Sequence, residues 1–415
     1  MPMNDKEICR SCSSEELFLA LDLGSQPVAN HLLSSKNENV KRFPLHLRVC
    51  ENCALGQIGD FLTSKDIFKD YRYLSSISET FLTHARNFVE SIIRSNFLEH
   101  DDYVLEIASN DGYLLKHFVE NEIKCIGVEP ATNVSKISES YGIETINDFF
   151  TKELATKLVS TYGKPRLIIA NNVLAHVPDL NDFVAGLAML AGDRTIISIE
   201  NPPLSNILLR SQFDSIYHEH YSYLSVNAVS ALMRRHGLEL FKVENIPTHG
   251  GSLRFWVSRE QKNGAVNLNS ISKACSHEIA QGLTSINAWE KCKHEIELTL
   301  ESHQAFLSRQ TAKGITVLGA GAAAKTTMFL NLLSDTTGIS AILDSSPEKQ
   351  GRYIPGVNIP IEPFSGEIST SNTMFMIYGW NLADEFARII RSLYGNNAVI
   401  FKSLPKLSEV TNATN

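Results

Sequence analysis

Four cysteines near the start of the chain form two Cys-x-x-Cys pairs, Cys9/Cys12 and Cys50/Cys53. A two-residue gap lets both thiolates of one turn reach a single tetrahedral zinc ion. A redox dithiol or coincidence is the alternative, but two such pairs, the second closing the strand-like FPLHLRVC, favour zinc. The 37 residues between the pairs exceed the usual ribbon spacing, so this knuckle must enclose a sizeable insertion. No further residue offers an open coordination position, which assigns the metal to folding and not to chemistry. Cys125, Cys275 and Cys292 stand singly among apolar neighbours and read as core filler.

A second concentration of reactive types lies in FDSIYHEHYSYLS, where Tyr217, His218, Glu219, His220, Tyr221 and Tyr223 fall within seven residues. Two readings stand close together. One is a loop of polar aromatics, with His218 and His220 spaced as in an incomplete metal site. The other is acid/base chemistry, since imidazole titrates near neutral pH and a neighbouring carboxylate can orient it.

These groups need elements to position them. VLEIASNDGYLLKHF reads as a buried strand (Val104 to Ala108), a tight turn, and a helix carrying Leu114, Leu115 and Phe118. IKCIGVEP follows as a second buried strand ending in Glu129. Strand, small-residue turn, helix, strand and terminal carboxylate begin a doubly wound nucleotide-binding sheet. A helix amino terminus presents unpaired amides to a polar ligand, and an acid at the next strand tip can accept both ribose hydroxyl protons. The turn lacks the three glycines that let backbone approach a pyrophosphate. S-adenosylmethionine, with a ribose and no pyrophosphate, suits it better than a nicotinamide dinucleotide. Glu106, Ala108, Asp111, Gly112 and Glu129 are the candidate contacts; in the plainer view Asp111 caps a helix and Glu129 is a solvated strand end. PRLIIANNVLAHVPDL adds a third strand, Leu167 to Ala170, then Asn171, Asn172 and His176, and RTIISIENPP a fourth ending in Glu200. Ligands of open parallel sheets lie beyond the carboxyl ends of strands, so Asn171 and Asn172 join the cofactor set. Spacing alone leaves His176 evenly divided between a structural and a functional role.

Flanking segments carry ordinary packing patterns. Phe88, Ile92 and Phe97 predict one helix, VNAVSALMRRHG another stopped by Gly237, and Cys292, Ile296, Leu300 and Leu307 one face of a long helix. LELFKVENI reads as a strand leading into the glycine turn THGGSLR. GITVLGAGAAAKTTMFLNLL then repeats the strand–glycine turn–helix plan, with Asp344 at the end of the following strand. Gly319-x-Gly321 with that acid would suit a dinucleotide and a nicotinamide oxidoreductase, yet the third glycine is absent and Ala324-Lys325 opens the helix. A lysine beside exposed amides suits a diphosphate, although Lys325 and Lys349 could also be solvated surface residues.

The chain has 415 residues with 43% hydrophobic and 20% charged, so packed cores and two or three domains are expected and a largely disordered chain is excluded. A net charge of −8 argues against nucleic acid or anionic lipid as partner. MPMNDKEICRSC lacks the apolar core of a secretion signal, no run approaches a membrane span, and a cytoplasmic location is expected. The last dozen residues read as a loose tail.

CRSC, LDLGSQPVAN, FPLHLRVCENC, DYRYLSS, VLEIASNDG, ANNVLAH, IYHEHYSYLS, HGGSLR and the late glycine loop, in one order over nearly the whole chain, resemble a family. This is the bacterial sugar C-methyltransferase family, which methylates C3 of nucleotide-linked 4-keto-deoxyhexoses in antibiotic and surface-polysaccharide pathways. The family generally carries glycine where Ala108 stands. The resemblance implies an α/β chain with an N-terminal zinc-binding domain (1–72), a central doubly wound, Rossmann-like methyltransferase domain (73–245) and a second Rossmann-like domain with linking helices (246–415). It implies S-adenosylmethionine and structural zinc as cofactors, a nucleotide-diphosphate 4-keto sugar as substrate, and a monomer. His220 matches the family's proposed base, with Tyr217, Glu219, His176 and Tyr71 lining the sugar pocket. Gly319, Gly321, Lys325, Lys349 and Asn381 would grip the nucleotide diphosphate. The competing expectations are a nicotinamide oxidoreductase and a zinc-stabilised nucleotide-sugar binding protein without catalysis.

Overall fold

The computed structural model describes residues 8–63, 76, 78–259, 268–365, 368 and 371–411, with backbone alone at 249, 268 and 269. Tyr71 and Tyr73 lie outside the described residues. Two compact units divide the chain: Met1–Phe18, Arg48–Leu204 and His220–Thr284 form the first, and Leu19–Leu47, Ser205–Glu219 and Ser285–Asn415 the second.

A four-stranded sheet accompanies the cysteine pairs. β1 (Leu17–Pro27) and β2 (Arg42–Cys50) alternate buried and exposed residues, and β3 (Gly56–Gln57) follows the second pair. Helix α1 (Glu79–Arg94) starts where Ser78 Oγ accepts the Phe81 amide at 3.3 Å, and buries Phe81, Ala85, Phe88, Val89 and Ile92. Phe97, expected on that helix, lies beyond its cap at Ser95, where Asn96 turns to a φ of 51°. Its ring carries the Arg166 guanidinium at 3.7 Å instead.

The first unit is built on a seven-stranded sheet. β4 (Tyr103–Ile107), α2 (Leu115–Val119), β5 (Lys124–Val128), α3 (Thr132–Ser140), β6 (Glu144–Ile146) and α4 (Lys152–Tyr162) lead to β7 (Leu167–Asn171). α5 (Leu180–Leu190), β8 (Ile196–Asn201), β9 (Ser222–Tyr223), α7 (Val226–Arg235), β10 (Glu239–Ile246) and β11 (Ser252–Ser258) follow, while α6 (Leu204–Arg210), between β8 and β9 in the chain, belongs from Ser205 on to the second unit. Strand order is β10-β11-β8-β7-β4-β5-β6, parallel from β8 to β6, with β11 antiparallel to both β8 and β10. β4 is buried throughout because helices cover both faces, which is why it reads as an apolar run broken only by Glu106. The chain leaves β6 by helix and returns on the other side of β4, making the β4/β7 edge a topological switch point. α7 ends as expected: Gly237, at a φ of 71°, donates to Arg234 O at 3.1 Å. β9 belongs to the smaller sheet, in the order β1-β2-β3-β9.

The second unit contains α8's successor α9 (Ile286–Ala312), α8 (Leu268–Ala280) itself falling in the first. β12 (Thr316–Ala320), α10 (Ala324–Leu332), β13 (Ile339–Leu343), β14 (Ile361–Glu362), β15 (Thr373–Ile377), α11 (Ala383–Tyr394), β16 (Val399–Lys402) and β17 (Ser408–Glu409) complete it. Its order, β14-β13-β12-β15-β16-β17, is parallel up to β16, with a switch point at β12/β15. Among the described residues no helix is long and apolar enough to cross a membrane.

Candidate active site and metal centre

Cys9 and Cys12 share one turn, Cys50 ends β2, and Cys53 lies in the turn that Ala54 closes at a φ of 57°. The four sulfurs all lie within 4.8 Å of one another, with 3.6 Å from Cys9 to Cys53 and from Cys12 to Cys50. A disulfide needs about 2.0 Å. Four sulfurs about 2.3 Å from a tetrahedral zinc stand ~3.8 Å apart, which the cluster matches. The Cys12 amide donates to Cys9 Sγ at 3.5 Å and Asn52 Nδ2 to Cys12 Sγ at 3.6 Å, contacts that favour thiolate. Contact with Cys50, then burial, pushes the Cys9 thiol up to about 12, so sulfurs this close resist joint ionisation without a cation among them. Among the described residues this is the one group of His, Cys, Asp and Glu with metal-holding spacing. His218, weighed above as part of a metal site, is buried and holds Pro44 O at 3.2 Å.

At the switch point of the first unit, the turn after β4 folds through left-handed backbone at Ala108 (φ 57°), Asn110 (50°) and Gly112 (77°). Glycine tolerates that geometry at Ala108 better than alanine does, by ~1–2 kcal/mol of steric cost. A Cβ at Gly112 would stand 2.7 Å from Ile143 Cδ1 and 2.8 Å from Ser138 Oγ, so that position has no room for a side chain. Glu129 follows β5 and accepts the Asn110 and Ala131 amides at 3.0 and 2.9 Å, clamping the turn to the strand tip. It is buried and not a solvated strand end, and burial raises its carboxyl above the usual range against those two amides. Burial, then the charges of Asp111 and Glu129, raises Glu106 strongly. Asp111 Oδ2 accepts the Ser76 amide at 3.1 Å.

Four buried polar atoms around this turn lack a hydrogen-bond partner: Glu106 Oε2, Ser109 Oγ, Asp111 Oδ1 and Asn171 Oδ1. The amide oxygen of Asn171 is a pure acceptor, and the two carboxyl oxygens and the hydroxyl can accept as well. They fit a ligand that brings donors and positive charge. S-adenosylmethionine brings an ammonium, two ribose hydroxyls and a sulfonium. Asn171 ends β7, and Asn172, at a φ of 54°, donates its amide to Glu200 O at 2.6 Å.

The loop after β7 carries His176 in the short helical turn Leu174–His176, and its ring meets that of His220 edge to face, with centroids 4.6 Å apart. Tyr223 stands 6.0 Å from His220. Both histidines are half-buried. The unit boundary falls between Glu219 and His220, so Tyr217, His218 and Glu219 belong to the second unit. There both Glu219 oxygens accept from Asn30 Nδ2 at 2.8 Å, and burial raises the carboxyl to about 7 against that hydrogen bond. Asn30 closes the LDLGSQPVAN motif, to which the residue pattern alone assigned no function.

Glu200, at the end of β8, centres a network that spacing did not reveal. It accepts from Thr248 Oγ1 at 2.9 Å, pairs with Arg254 at 2.5 Å, and meets His84 Nε2 at 3.0 Å. Burial would raise its carboxyl, but the His84 hydrogen bond and the Arg254 charge overcome burial and hold it at about 2. Replacing it by glutamine strands Arg254, whose side chain is 7% exposed, and is expected to destabilise this unit by about 3–5 kcal/mol. Because the folded carboxyl titrates below the unfolded one, this stabilisation is complete above the unfolded value and is lost as pH falls toward 2. The gap in thermal midpoint between wild type and Glu200→Gln should therefore narrow between about pH 6 and pH 3.5; an unchanged gap contradicts the assignment.

In the second unit Gly319 lies within β12, paired with both neighbouring strands, and Gly321 in the turn after it, at that sheet's switch point. A Cβ at Gly321 would meet the Phe386 ring at 2.9 Å and Gly379 Cα at 3.4 Å. Asn381 lies in the adjacent turn Trp380–Leu382 after β15. Lys325 Nζ donates to Ser215 Oγ at 2.6 Å and stands 5.6 Å over the Trp380 ring. Burial lowers its amine below the usual lysine range, opposed by Asp214, so it is not a solvated surface lysine. Asp214 accepts from Trp380 Nε1 at 2.6 Å, and burial raises it to about 6 against the Lys325 charge. Lys349 Nζ lies 3.3 Å from Asp344, whose oxygens also accept the Ala322 and Ser346 amides at 2.7 and 2.8 Å.

Residues 81–243 match the family described as "Methyltransferase domain", residues 247–405 "C-methyltransferase C-terminal domain", and residues 9–68 "Putative zinc binding domain". Together the three matches run from residue 9 to residue 405. The chain is an S-adenosylmethionine-dependent C-methyltransferase, which replaces the expectation of a nicotinamide oxidoreductase. The methyltransferase is 28% identical over 383 residues to C-methyltransferase NovU of Streptomyces niveus, covering 91% of this chain and 90% of that one. It is also similar to the PH0226 protein of Pyrococcus horikoshii OT3, at 11% identity and a TM-score of 0.36 over 45% of this chain and 95% of that one. Against magnesium protoporphyrin IX methyltransferase of Synechocystis PCC 6803 with bound S-adenosylmethionine, identity is 13% and the TM-score 0.33, over 47% and 89% of the two chains.

Proposed function

We propose that this methyltransferase transfers a methyl group to C3 of a nucleotide-linked 4-keto-deoxyhexose, in deoxysugar or surface-polysaccharide synthesis. The observation that carries this reading is the His176–His220 pair, in the same unit as the unpartnered acceptors of Glu106, Ser109 and Asp111. A hydrogen on carbon beside a ketone is weakly acidic, and an imidazole can remove it near neutral pH. In our reading His220 takes that proton, and the enolate carbon forms its new bond to the methyl as the sulfonium bond breaks. S-adenosylmethionine supplies the electrophilic methyl when bound, held by Glu106, Ala108, Asp111, Gly112, Glu129, Asn171 and Asn172.

A positioned base contributes ~10²–10⁴-fold. A donor to the enolate oxygen adds about 3–4 kcal/mol, by analogy with removal of one oxyanion donor. We assign that donation to the Tyr217 hydroxyl, and contacts with the sugar to Glu219, His176 and Tyr71, the last outside the described residues. Gly319, Gly321, Lys325, Lys349 and Asn381 would hold the diphosphate, with Lys349 exchanging the Asp344 carboxylate for phosphate. The three segments 1–72, 73–245 and 246–415 would then serve metal, methyl donor and nucleotide.

A panel of dTDP-, GDP- and CDP-linked sugars, each as the 4-ketone and as the 4-alcohol, tests this with product mass and carbon connectivity as readouts. Methylation on carbon, confined to ketones, is expected. Equal turnover of the alcohols, or methylation on oxygen, contradicts the proposal.

A further inference from the structure

We propose that Arg10, held between the knuckle cysteines, is a positioning residue that sets the geometry of the His176–His220 pair. This rests on the reading of His220 as the base.

Arg10 occupies the first position between Cys9 and Cys12. Here the guanidinium is buried, with a side-chain exposure of 1%. Its Nη1 donates to Pro178 O at 3.1 Å, two residues past His176. Its Nη2 donates to Ile58 O at 2.6 Å and to Asp60 Oδ1 at 2.9 Å, and the guanidinium carbon stands 5.5 Å over the ring of Tyr221, the neighbour of His220. One planar cation therefore touches the chain next to both histidines. Its own backbone is pinned as well: Arg10 N donates to Gln57 Oε1 at 2.9 Å, and Asn181 Nδ2 donates to Arg10 O at 3.0 Å.

A second connection is independent of the arginine. β3, directly after Cys53, pairs with β9, directly after His220, in the register Gly56 with Tyr223 and Gln57 with Ser222. The Ile58 amide adds a bond to Tyr221 O at 3.2 Å. The backbone leaving His220 thus hangs on the segment leaving the second cysteine pair, while Arg10 reaches from the first pair to the loop of His176. A cluster that fits zinc between those pairs fixes the spacing of the two supports. Lysine cannot replace the fork, because a single ammonium cannot reach Pro178 O, Ile58 O and Asp60 together in one plane.

Displacing a reacting group by about 1 Å costs on the order of 10²-fold in rate. Arg10→Ala is expected to lose about that much in kcat, with KM and adenosylhomocysteine affinity within a few-fold. Zinc content should remain at one per chain. Added guanidinium ion should restore turnover and ethylammonium should not, because only the former can bridge the vacated carbonyls. The imidazole nitrogen shifts of His176 and His220 should both move in the variant and return with guanidinium. His220→Ala is measured in parallel. If Arg10→Ala keeps wild-type kcat and histidine shifts while His220→Ala is inactive, the positioning role is overturned and the base assignment stands. If His220→Ala itself turns over normally, the underlying reading fails. Should Arg10→Ala not fold, Arg10→Lys carries the same comparison, with an expected loss of about 10-fold in kcat and displaced histidine shifts; wild-type values for both overturn the proposal.

Discussion

Replacing His220 by alanine is expected to reduce methyl transfer by ~10²–10⁴-fold while adenosylhomocysteine binds within a few-fold of wild type. The separation follows from where the groups lie. Three of the acceptors suited to the cofactor, Glu106, Ser109 and Asp111, lie in β4 and the turn after it, whereas the His220 ring packs against His176 in the loop after β7. Losing an imidazole leaves the clamped turn of Asn110 and Glu129 untouched. Single-turnover kinetics beside isothermal titration separates the two quantities. A variant that loses cofactor affinity in proportion to rate would place His220 in the cofactor cradle, and one with wild-type turnover would remove it from the reaction.

Loss of one knuckle sulfur should have the larger effect on folding. Structural zinc contributes ~10–16 kcal/mol of apparent binding free energy, and that energy is available only to the folded turn pair. Cys50→Ser is expected to abolish stoichiometric zinc and to lower the thermal midpoint sharply, as should a strong chelator on the wild type. Cys50 is fully buried, so the serine hydroxyl would add an unpaired polar group to the loss of a ligand. Cys275→Ser is the matched control, since that thiol lies on α8 outside the sulfur cluster. Zinc measured by atomic absorption and unfolding followed by circular dichroism give both readouts. Retention of one zinc per chain in Cys50→Ser contradicts a four-sulfur site.

Much of the central sheet was legible because parallel strands buried on both faces leave near-continuous apolar runs: Val104 to Ile107, broken only by Glu106, Cys125 to Val128 and Leu167 to Ala170 need no partner to be recognised. The acid at a strand tip and the Cys-x-x-Cys spacing are local as well. The strand Ser252–Ser258 was harder, since HGGSLR reads as a turn and only the sheet reveals that β11 enters between β8 and β10 in the opposite direction. The Glu200 network joins residues 116 and 54 positions apart, which no window along the chain can connect. Arg10 was hidden for a related reason: within CRSC an arginine looks like a spacer, and its partner at Pro178 is 168 positions away. Phe97 misled through its periodicity, which continues past the residues that end α1.

The central claim is that His220 removes a proton from carbon beside a carbonyl, and proton exchange measures that step apart from methyl transfer. A 4-keto nucleotide sugar would be incubated in deuterated water with adenosylhomocysteine in place of the methyl donor. The account predicts enzyme-dependent deuterium at C3 with the wild type and background exchange alone with His220→Ala. Wild-type exchange in that variant would contradict it.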